Sequence, residues 1–426
     1  MLTLLGIGAL LGVFILLGIP IYVALGGSAL ILFFVSGDTV GGLAQIILDH
    51  LNSSSLIAIP YFVLATTFLE CSRAGRVLVE LADVWTGWLK GGLGLACVFA
   101  ALGFSAISGS STATVIALGA ILIPAMTERA YPREFALGVV GASGTLGILI
   151  PPSIALIVYG YVTGSSVPRL FLAGVLPGLI QVALFSVLVI YYGRRHNLTS
   201  HGRPDRRAIL RLHIEALPAL AIPVLILGGI YGGIVTVAEA ASLAAIISMC
   251  AGLFVYRDIK WHSLMELLTK SITNTARIMF IVAMSFAFSH WIIASQVSET
   301  LLQAVVSSNI STWKFLLIMN IAMLFLGIFL EVISVILITL PIVLPIMLAL
   351  GINPVHYAVI VIVNMQIATI TPPVGLTLFA LSTTSKASMA EIVRGIWPFA
   401  LILLLSLLLV TVFPSLSLLL PNYVLS

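Results

Sequence analysis

The sequence predicts an all-α protein that crosses a membrane many times. Of its 426 residues, 61% are hydrophobic and only 8% are charged, whereas soluble domains carry about 25% charged residues. A transmembrane helix needs about 20 apolar residues, so the chain is long enough for roughly ten crossings. We expect no soluble domain. Two pairs of polar or proline-rich interruptions lie within the apolar sequence, and they mark where function is expected.

The first half, residues 1–192, is predicted to contain ordinary spans and two surface helices. Segment 42–57 is too short and too polar to cross a bilayer, so it is expected to lie in the interface as an arm helix. The N-terminus lacks the features of a cleaved signal peptide and is expected to remain as the first span. Spans are predicted at 2–19, 20–36, 58–72 and 168–192, and an amphipathic connector at 76–90.

This half also contains a predicted helical hairpin and a predicted broken helix. Residues 91–127 have a serine-rich tip at Ser105 to Thr112, and each arm is too short for a comfortable span. The stretch is therefore expected to enter and leave the membrane on one side. Within 134–163, Pro151-Pro152 breaks the helix, because proline lacks an amide hydrogen and disfavours helix at the preceding residue.

A polar linker at 193–211 leads to the second half, residues 212–426, which repeats this plan. Pro372-Pro373 follows Pro151-Pro152 by 221 residues, and the same offset pairs Gly147 with Ala368. The ordered series predicts a repeat with two re-entrant hairpins and two broken helices; chance resemblance between apolar helices is the alternative. If each hairpin makes no net crossing, each half has five crossings, an odd number, so the repeat is inverted. Spans are predicted at 215–231, 237–256, 277–295 and 396–413, an arm helix at 259–275, a hairpin at 312–350 and a broken helix at 355–383.

Basic residues orient the chain. Placing the linker in the cytoplasm puts most of them on the same side, as the positive-inside rule requires, and both termini then face outside. Arg169 and Lys314 fall on the other side. The residues placed in the cytoplasm are Arg73, Arg76, Lys90, Arg129, Arg133, Arg257, Lys260, Lys386 and Arg394.

The first pair of interruptions, the hairpin tip at 105–112 and the break at 147–152, offers oxygen ligands. Its hairpin tip carries hydroxyl groups, and Gly147 and Ile150 are expected to expose carbonyls where Pro152 has removed the competing amide. Such oxygens suit Na⁺, which discontinuous helices bind through unwound carbonyls. The alternative is that the small residues simply allow close helix packing. The hydroxyl residues of the tip are Ser105, Ser108, Ser110, Ser111 and Thr112.

The second pair of interruptions, at 327–334 and 368–375, is expected to supply equivalent oxygen donors. Its most distinctive residue is Glu331, because an acid at membrane depth is a functional candidate by default; a capping or interface-directed carboxylate is the alternative. Asn364 and Gln366 lie on the predicted broken helix at 355–383 and could hydrogen-bond a polar substrate.

Several other functions are not supported by the sequence. The seven histidines have no metal-ligand spacing, and no phosphate-binding loop argues for ATP. Cys71, Cys97 and Cys250 form neither a metal pattern nor a disulfide framework. We therefore predict neither an enzyme nor a nucleic-acid partner, and no cofactor.

The tip at 105–112, the Leu149-Ile150-Pro151-Pro152 break and Thr371-Pro372-Pro373-Val374-Gly375 resemble the large membrane subunit of tripartite ATP-independent periplasmic (TRAP) transporters. The resemblance implies an elevator-type secondary transporter in a bacterial inner membrane. It also implies a Na⁺ gradient that drives import of an organic anion, such as sialic acid or a C4-dicarboxylate. A periplasmic binding protein would deliver the anion, and a small four-helix membrane subunit would be a separate partner chain.

The resemblance also implies site residues. One sodium site would use Ser105, Ser110, Gly147, Ile150 and Pro152, and the second would use Gly327, Ala368, Thr371 and Val374. The substrate-binding candidates are Ser108, Ser111, Thr112, Thr145, Glu331, Ser334, Asn364, Gln366 and Thr369.

Two alternatives to this function remain. A stand-alone Na⁺- or H⁺-coupled dicarboxylate carrier would need no binding protein. A channel or structural scaffold belongs to a different class, but a channel needs a continuous polar stripe along several spans, and polarity here is concentrated at the breaks.

Overall fold

The computed structural model describes residues 12–14, 17–36, 40–198 and 206–425. Each regular element in these ranges is a helix, because only a helix or a closed barrel satisfies its own backbone groups in lipid. The helices of the first half are α1 (Ile21–Ser36), α2 (Val40–Leu51), α3 (Ser54–Glu70), α4 (Ala74–Thr86), α5 (Gly92–Ser108), α6 (Ser111–Glu128), α7 (Arg133–Gly144), α8 (Ile154–Thr163) and α9 (Val167–Arg195).

The second half is also built from helices. Its helices are α10 (Arg206–Tyr231), α11 (Val237–Cys250), α12 (Leu264–Ala294), α13 (Val297–Ser307), α14 (Thr312–Phe329), α15 (Val332–Ala349), α16 (Pro354–Thr369), α17 (Leu376–Ser385), α18 (Met389–Val412) and α19 (Ser415–Val424). Within the described ranges, 8 helices are long and apolar enough to cross a membrane, or 9 if α2 and α3, bent by 64°, count as one span. The predicted all-helical, multi-pass protein is confirmed.

Helix pairs occupy both predicted hairpin positions. α5 ends at Ser108, and the following Gly109 has a φ of 61°, in the left-handed region that glycine adopts without strain. The Ser110 side chain then accepts a hydrogen bond from the amide of Ala113 and begins α6. α14 and α15 are separated only by Leu330 and Glu331, both in extended conformation.

Both predicted breaks are present. After α7, a short 3₁₀ turn (Thr145–Ile148) precedes the proline pair, and α8 begins at Ile154. In the second half, α16 ends at Thr369 and α17 begins at Leu376. The first break is buried throughout, whereas Pro372 and Pro373 are exposed.

Helix bounds recur at the sequence offset of 221 residues. α6 and α15 correspond at both ends under this offset, and α16 corresponds to α7 together with its 3₁₀ turn. The halves also interleave, because α1 packs on α12 and α3 packs on α11. Helices α5–α8 and α14–α18 share one large buried apolar cluster that holds the two breaks.

The structure differs from the prediction in several elements. The arm helix at 259–275 and the span at 277–295 are one continuous helix, α12, instead of two. α10 begins at Arg206, inside the predicted linker, and α13 and α19 were not predicted. Most of the predicted span at 2–19 lies outside the described residues.

Candidate functional site

The first hairpin tip lies directly against the first break. A Cβ atom added at Gly147 would lie 2.5 Å from the carbonyl oxygen of Ser110, and one added at Gly109 would lie 2.8 Å from that of Pro152. Neither position has room for a side chain. The two glycines therefore allow the tip and the break to pack closely together.

The hydroxyl groups at this contact differ in their bonding. The Ser105 side chain is fully buried, and its Oγ has no hydrogen-bond partner. Ser110 Oγ lies 3.1 Å from Thr112 Oγ1. Leaving a buried hydroxyl unpaired costs about 1–3 kcal/mol, so an orphan at this place is suited to a ligand. Ile150 is buried against α9 at Gly178.

The second predicted sodium set is also brought together. Gly327 of α14 packs on α16 so closely that an added Cβ would lie 2.6 Å from the Cβ of Ala368. The Thr371 hydroxyl donates to the carbonyl of Ile367 at 2.6 Å, which leaves its oxygen lone pairs free to accept or to bind a cation. Val374 is half-buried, and the next residue, Gly375, donates its amide to the carbonyl of Ile328, the neighbour of Gly327.

Two adjoining cavities connect the hairpin tips. The larger has a volume of about 520 Å³ and lies between α3, the first tip, α12 and Glu331. The smaller, of about 110 Å³, lies between both tips and the start of α17. Ser110, Thr112 and Glu331 line both cavities, so they form the shared boundary.

Five of the predicted substrate-binding residues line these cavities. Ser108 lines the larger, Ser111 and Thr369 line the smaller, and Thr112 and Glu331 line both. The Glu331 side chain does not cap α15, so the capping alternative does not hold in this structure.

The other four candidates lie away from both cavities. Asn364 donates to the backbone and side chain of Asn320 and links α16 to α14. Gln366 donates to the carbonyl of Thr145 at 3.0 Å. Thr145 directs its own hydroxyl to Ala142, and the buried Ser334 hydroxyl has no partner.

Three polar residues of α12 line the larger cavity and were not predicted as site residues. Lys270, Asn274 and Arg277 are spaced four and three residues apart, which places them on one helix face. Their spacing is visible in the sequence. The predicted division of this helix near residue 276 concealed the shared face, because the division placed Arg277 at the end of a span.

The end of the larger cavity that lies at the C-terminus of α3 contains a charged pair and a thiol. Lys270 Nζ lies 3.6 Å from the Glu70 carboxylate and 4.0 Å from Cys71 Sγ. Partial desolvation raises the pKa of the Cys71 thiol, although the Lys270 charge opposes this. No cluster of three or more His, Cys, Asp or Glu side chains suited to a metal ion occurs among the described residues.

Two helical hairpins and two interrupted helices around a polar cavity, inside an apolar shell, define this chain as a helical membrane permease. A family model described as the DctM component of the tripartite ATP-independent periplasmic transporter matches residues 8–416. The chain belongs to this family, as the sequence resemblance predicted.

Individual proteins support the same assignment. The C4-dicarboxylate TRAP transporter large permease protein DctM of Pseudomonas aeruginosa is 40% identical over 94% of this chain and 93% of its own length. The isethionate TRAP transporter permease protein DctMQ of Oleidesulfovibrio alaskensis is 35% identical over 94% of this chain and 64% of its own length. These relatives are permeases, which confirms that the chain is a transport protein and not an enzyme.

The fold has a distant match among solved structures. MtrF of Neisseria gonorrhoeae, described as illuminating a class of antimetabolite efflux pumps, superposes with a TM-score of 0.61 over 89% of this chain and 83% of that chain. The two sequences are only 9% identical, so this match concerns the fold alone.

Proposed function

We propose that this chain is the large subunit of a Na⁺-coupled importer of a small organic anion. The observation that carries the proposal is the contact of Ser110 with Gly147, where a hairpin tip meets a helix break beside a polar cavity. Discontinuous helices of this kind bind coupling ions through unwound carbonyls and bind anions near half-helix N-termini.

The residues at this contact suit Na⁺ because they are neutral oxygen donors. At the first site, Ser105 and Ser110 supply hydroxyls, and the backbone from Gly147 to Pro152 supplies carbonyls. The orphan hydroxyl of Ser105 supports this assignment. At the second site, Thr371 supplies a hydroxyl, and Gly327, Ala368 and Val374 supply carbonyls.

An inverted repeat and an elevator movement complete the proposed mechanism. The offset of 221 residues between equivalent helix bounds supports the repeat. In this mechanism, the two hairpins and two broken helices carry the ion and the anion together, while the remaining helices form the scaffold. Positive-inside orientation makes the cavity near Glu70 the cytoplasmic opening, so the described conformation faces inward and both termini face the periplasm.

The proposed partners follow from the family. The names of the relatives include a C4-dicarboxylate permease and an isethionate permease, so the shared chemistry is a small organic acid. We propose that a periplasmic binding protein delivers it and that a small membrane subunit, supplied as a separate chain, accompanies this one in the inner membrane.

Uptake into proteoliposomes tests the proposal. The vesicles contain this chain with its small membrane subunit, and the cognate binding protein and its radiolabelled anion are added outside. Uptake should require an inward Na⁺ gradient and stop when K⁺ replaces Na⁺. Equal uptake in the two salts would remove the sodium assignment, and uptake without binding protein would favour a stand-alone carrier.

A further inference from the structure

We infer that Arg277, on the scaffold helix α12, binds the carboxylate of the transported anion in the described conformation, and that Glu331 determines which polar groups the rest of that anion bears. The substrate class is a monocarboxylate whose other end bears hydroxyl or ammonium donors, in preference to a second carboxylate. This inference rests on the proposed transport function.

The position of Arg277 in α12 indicates a functional role. It lies 13 residues after Leu264, the start of this helix, which at 1.5 Å per residue is about 20 Å along the axis. Exposed apolar residues, Ile272 and Phe280, lie on either side of it in sequence. A charge within an apolar helix is tolerated when it faces a water-filled cavity or a partner, and Arg277 lines the larger cavity.

The charge of Arg277 is available to a ligand. Lys270, two turns earlier on the same face, is already paired with Glu70 at 3.6 Å. Arg277 has no hydrogen-bond or ion-pair partner among the described residues. A guanidinium group offers a rigid fork of donors that matches the two oxygens of a carboxylate, so it can bind the acid group of a substrate directly.

Glu331 faces the same cavity from another element. Its carboxylate, at the second hairpin tip, has no hydrogen bond or ion pair within the described part of the chain. It forms no ion pair with Arg277, so both charged groups are available to a ligand in this cavity. An ionised carboxylate only accepts hydrogen bonds. Glu331 is exposed in this structure, and in its ionised form it attracts hydroxyl or ammonium groups and repels a second carboxylate.

The size and remaining lining of the cavity agree with such a ligand. A volume of about 520 Å³ lies within the usual range of small-molecule sites. Ser110, Thr112 and Asn274 add groups that both donate and accept, so they suit a hydroxylated carbon chain.

Protection of Cys71 from a maleimide measures occupancy, because Cys71 lines the same cavity. The permease, purified with its small membrane subunit in NaCl, is labelled with gluconate or succinate present, and the Cys71 peptide is followed by mass spectrometry. Gluconate should protect at concentrations about tenfold lower than succinate, a difference of about 1.4 kcal/mol. Equal protection by the two anions, or protection by neither, would overturn the inference.

Variants separate the two roles. Arg277→Gln should raise the protecting gluconate concentration roughly 10- to 100-fold, and Arg277→Lys, which keeps the charge but loses the fork, should give a smaller increase. Glu331→Gln should reduce the difference between gluconate and succinate. Arg169→Gln is the matched control, because Arg169 bonds Asn422 and does not line this cavity. Wild-type protection in Arg277→Gln would contradict the assignment.

The salt distinguishes this inference from the proposed function. Replacing NaCl with choline chloride should weaken protection if sodium and the anion bind together. Protection that is unchanged in choline chloride, but still lost in Arg277→Gln, would count against sodium coupling and leave the anion assignment intact.

Discussion

The side-chain amide of Gln366 donates a hydrogen bond to the backbone carbonyl of Thr145 at 3.0 Å. These residues are separated by 221 positions, the same offset that relates the two proline pairs. Gln366 is also paired with Gln181 of α9 in both directions, at 2.8 and 3.1 Å. The buried side-chain amide of Gln366 thus links α16, which precedes the second break, to the backbone of the first break.

Replacing Gln366 should weaken this connection. Gln366→Leu removes the shorter hydrogen bond of the Thr145 carbonyl and both bonds between Gln366 and Gln181, and it leaves only the longer contacts with Ser111 and Ser406. We therefore expect a loss of about 1–3 kcal/mol of stability. Sodium affinity should also fall, because the 3₁₀ turn that contains Gly147 loses a supporting hydrogen bond. Thermal unfolding in NaCl and in choline chloride measures both effects.

A suitable control is Gln303→Leu, since Gln303 is exposed on α13. An unchanged unfolding temperature for Gln366→Leu would show that the hydrogen bonds carry little stability.

Gly147→Ala tests the contact between tip and break. The added methyl group would lie 2.5 Å from the Ser110 carbonyl oxygen, so the tip must move away from the break. We expect loss of Na⁺-driven uptake even though alanine favours helix more than glycine does. Gly228→Ala in α10 is the control, because nothing lies within 4 Å of the added atom. Normal uptake by Gly147→Ala would mean that this close approach is not needed.

Ser105→Ala tests the orphan hydroxyl. Removing a buried hydroxyl without a protein partner should cost no stability in choline chloride. If Na⁺ uses this oxygen, the sodium concentration needed for half-maximal stabilisation should rise roughly 3- to 10-fold. Ser28→Ala, which removes another fully buried and unpartnered hydroxyl, should leave that concentration unchanged. The same response in the two variants would argue against a sodium ligand at Ser105.

The architecture was predictable from local signals in the sequence. Proline pairs disfavour helix at the preceding residue, so both breaks were placed correctly, and Gly109 marked the hairpin turn. α12 was divided wrongly, because Lys270, Asn274 and Arg277 interrupt its apolar sequence although they face a cavity. Hydropathy reports composition and does not show which face a polar residue occupies.

The contacts within the candidate site depend on tertiary packing. The sequence offset aligned Thr145 with Gln366 but could not show that their atoms meet. It also could not show that Asn364 bonds Asn320 and lies away from the cavities. Such pairings depend on how α14, α16 and the first break pack together, and no single segment determines that arrangement.

Binding of radioactive sodium to the purified permease tests the central claim most directly. We predict saturable binding that unlabelled Na⁺ displaces and K⁺ does not, and that falls strongly in a variant combining Ser105→Ala with Thr371→Val. Equal displacement by K⁺, or wild-type binding by the double variant, would contradict a sodium site at the tips and breaks.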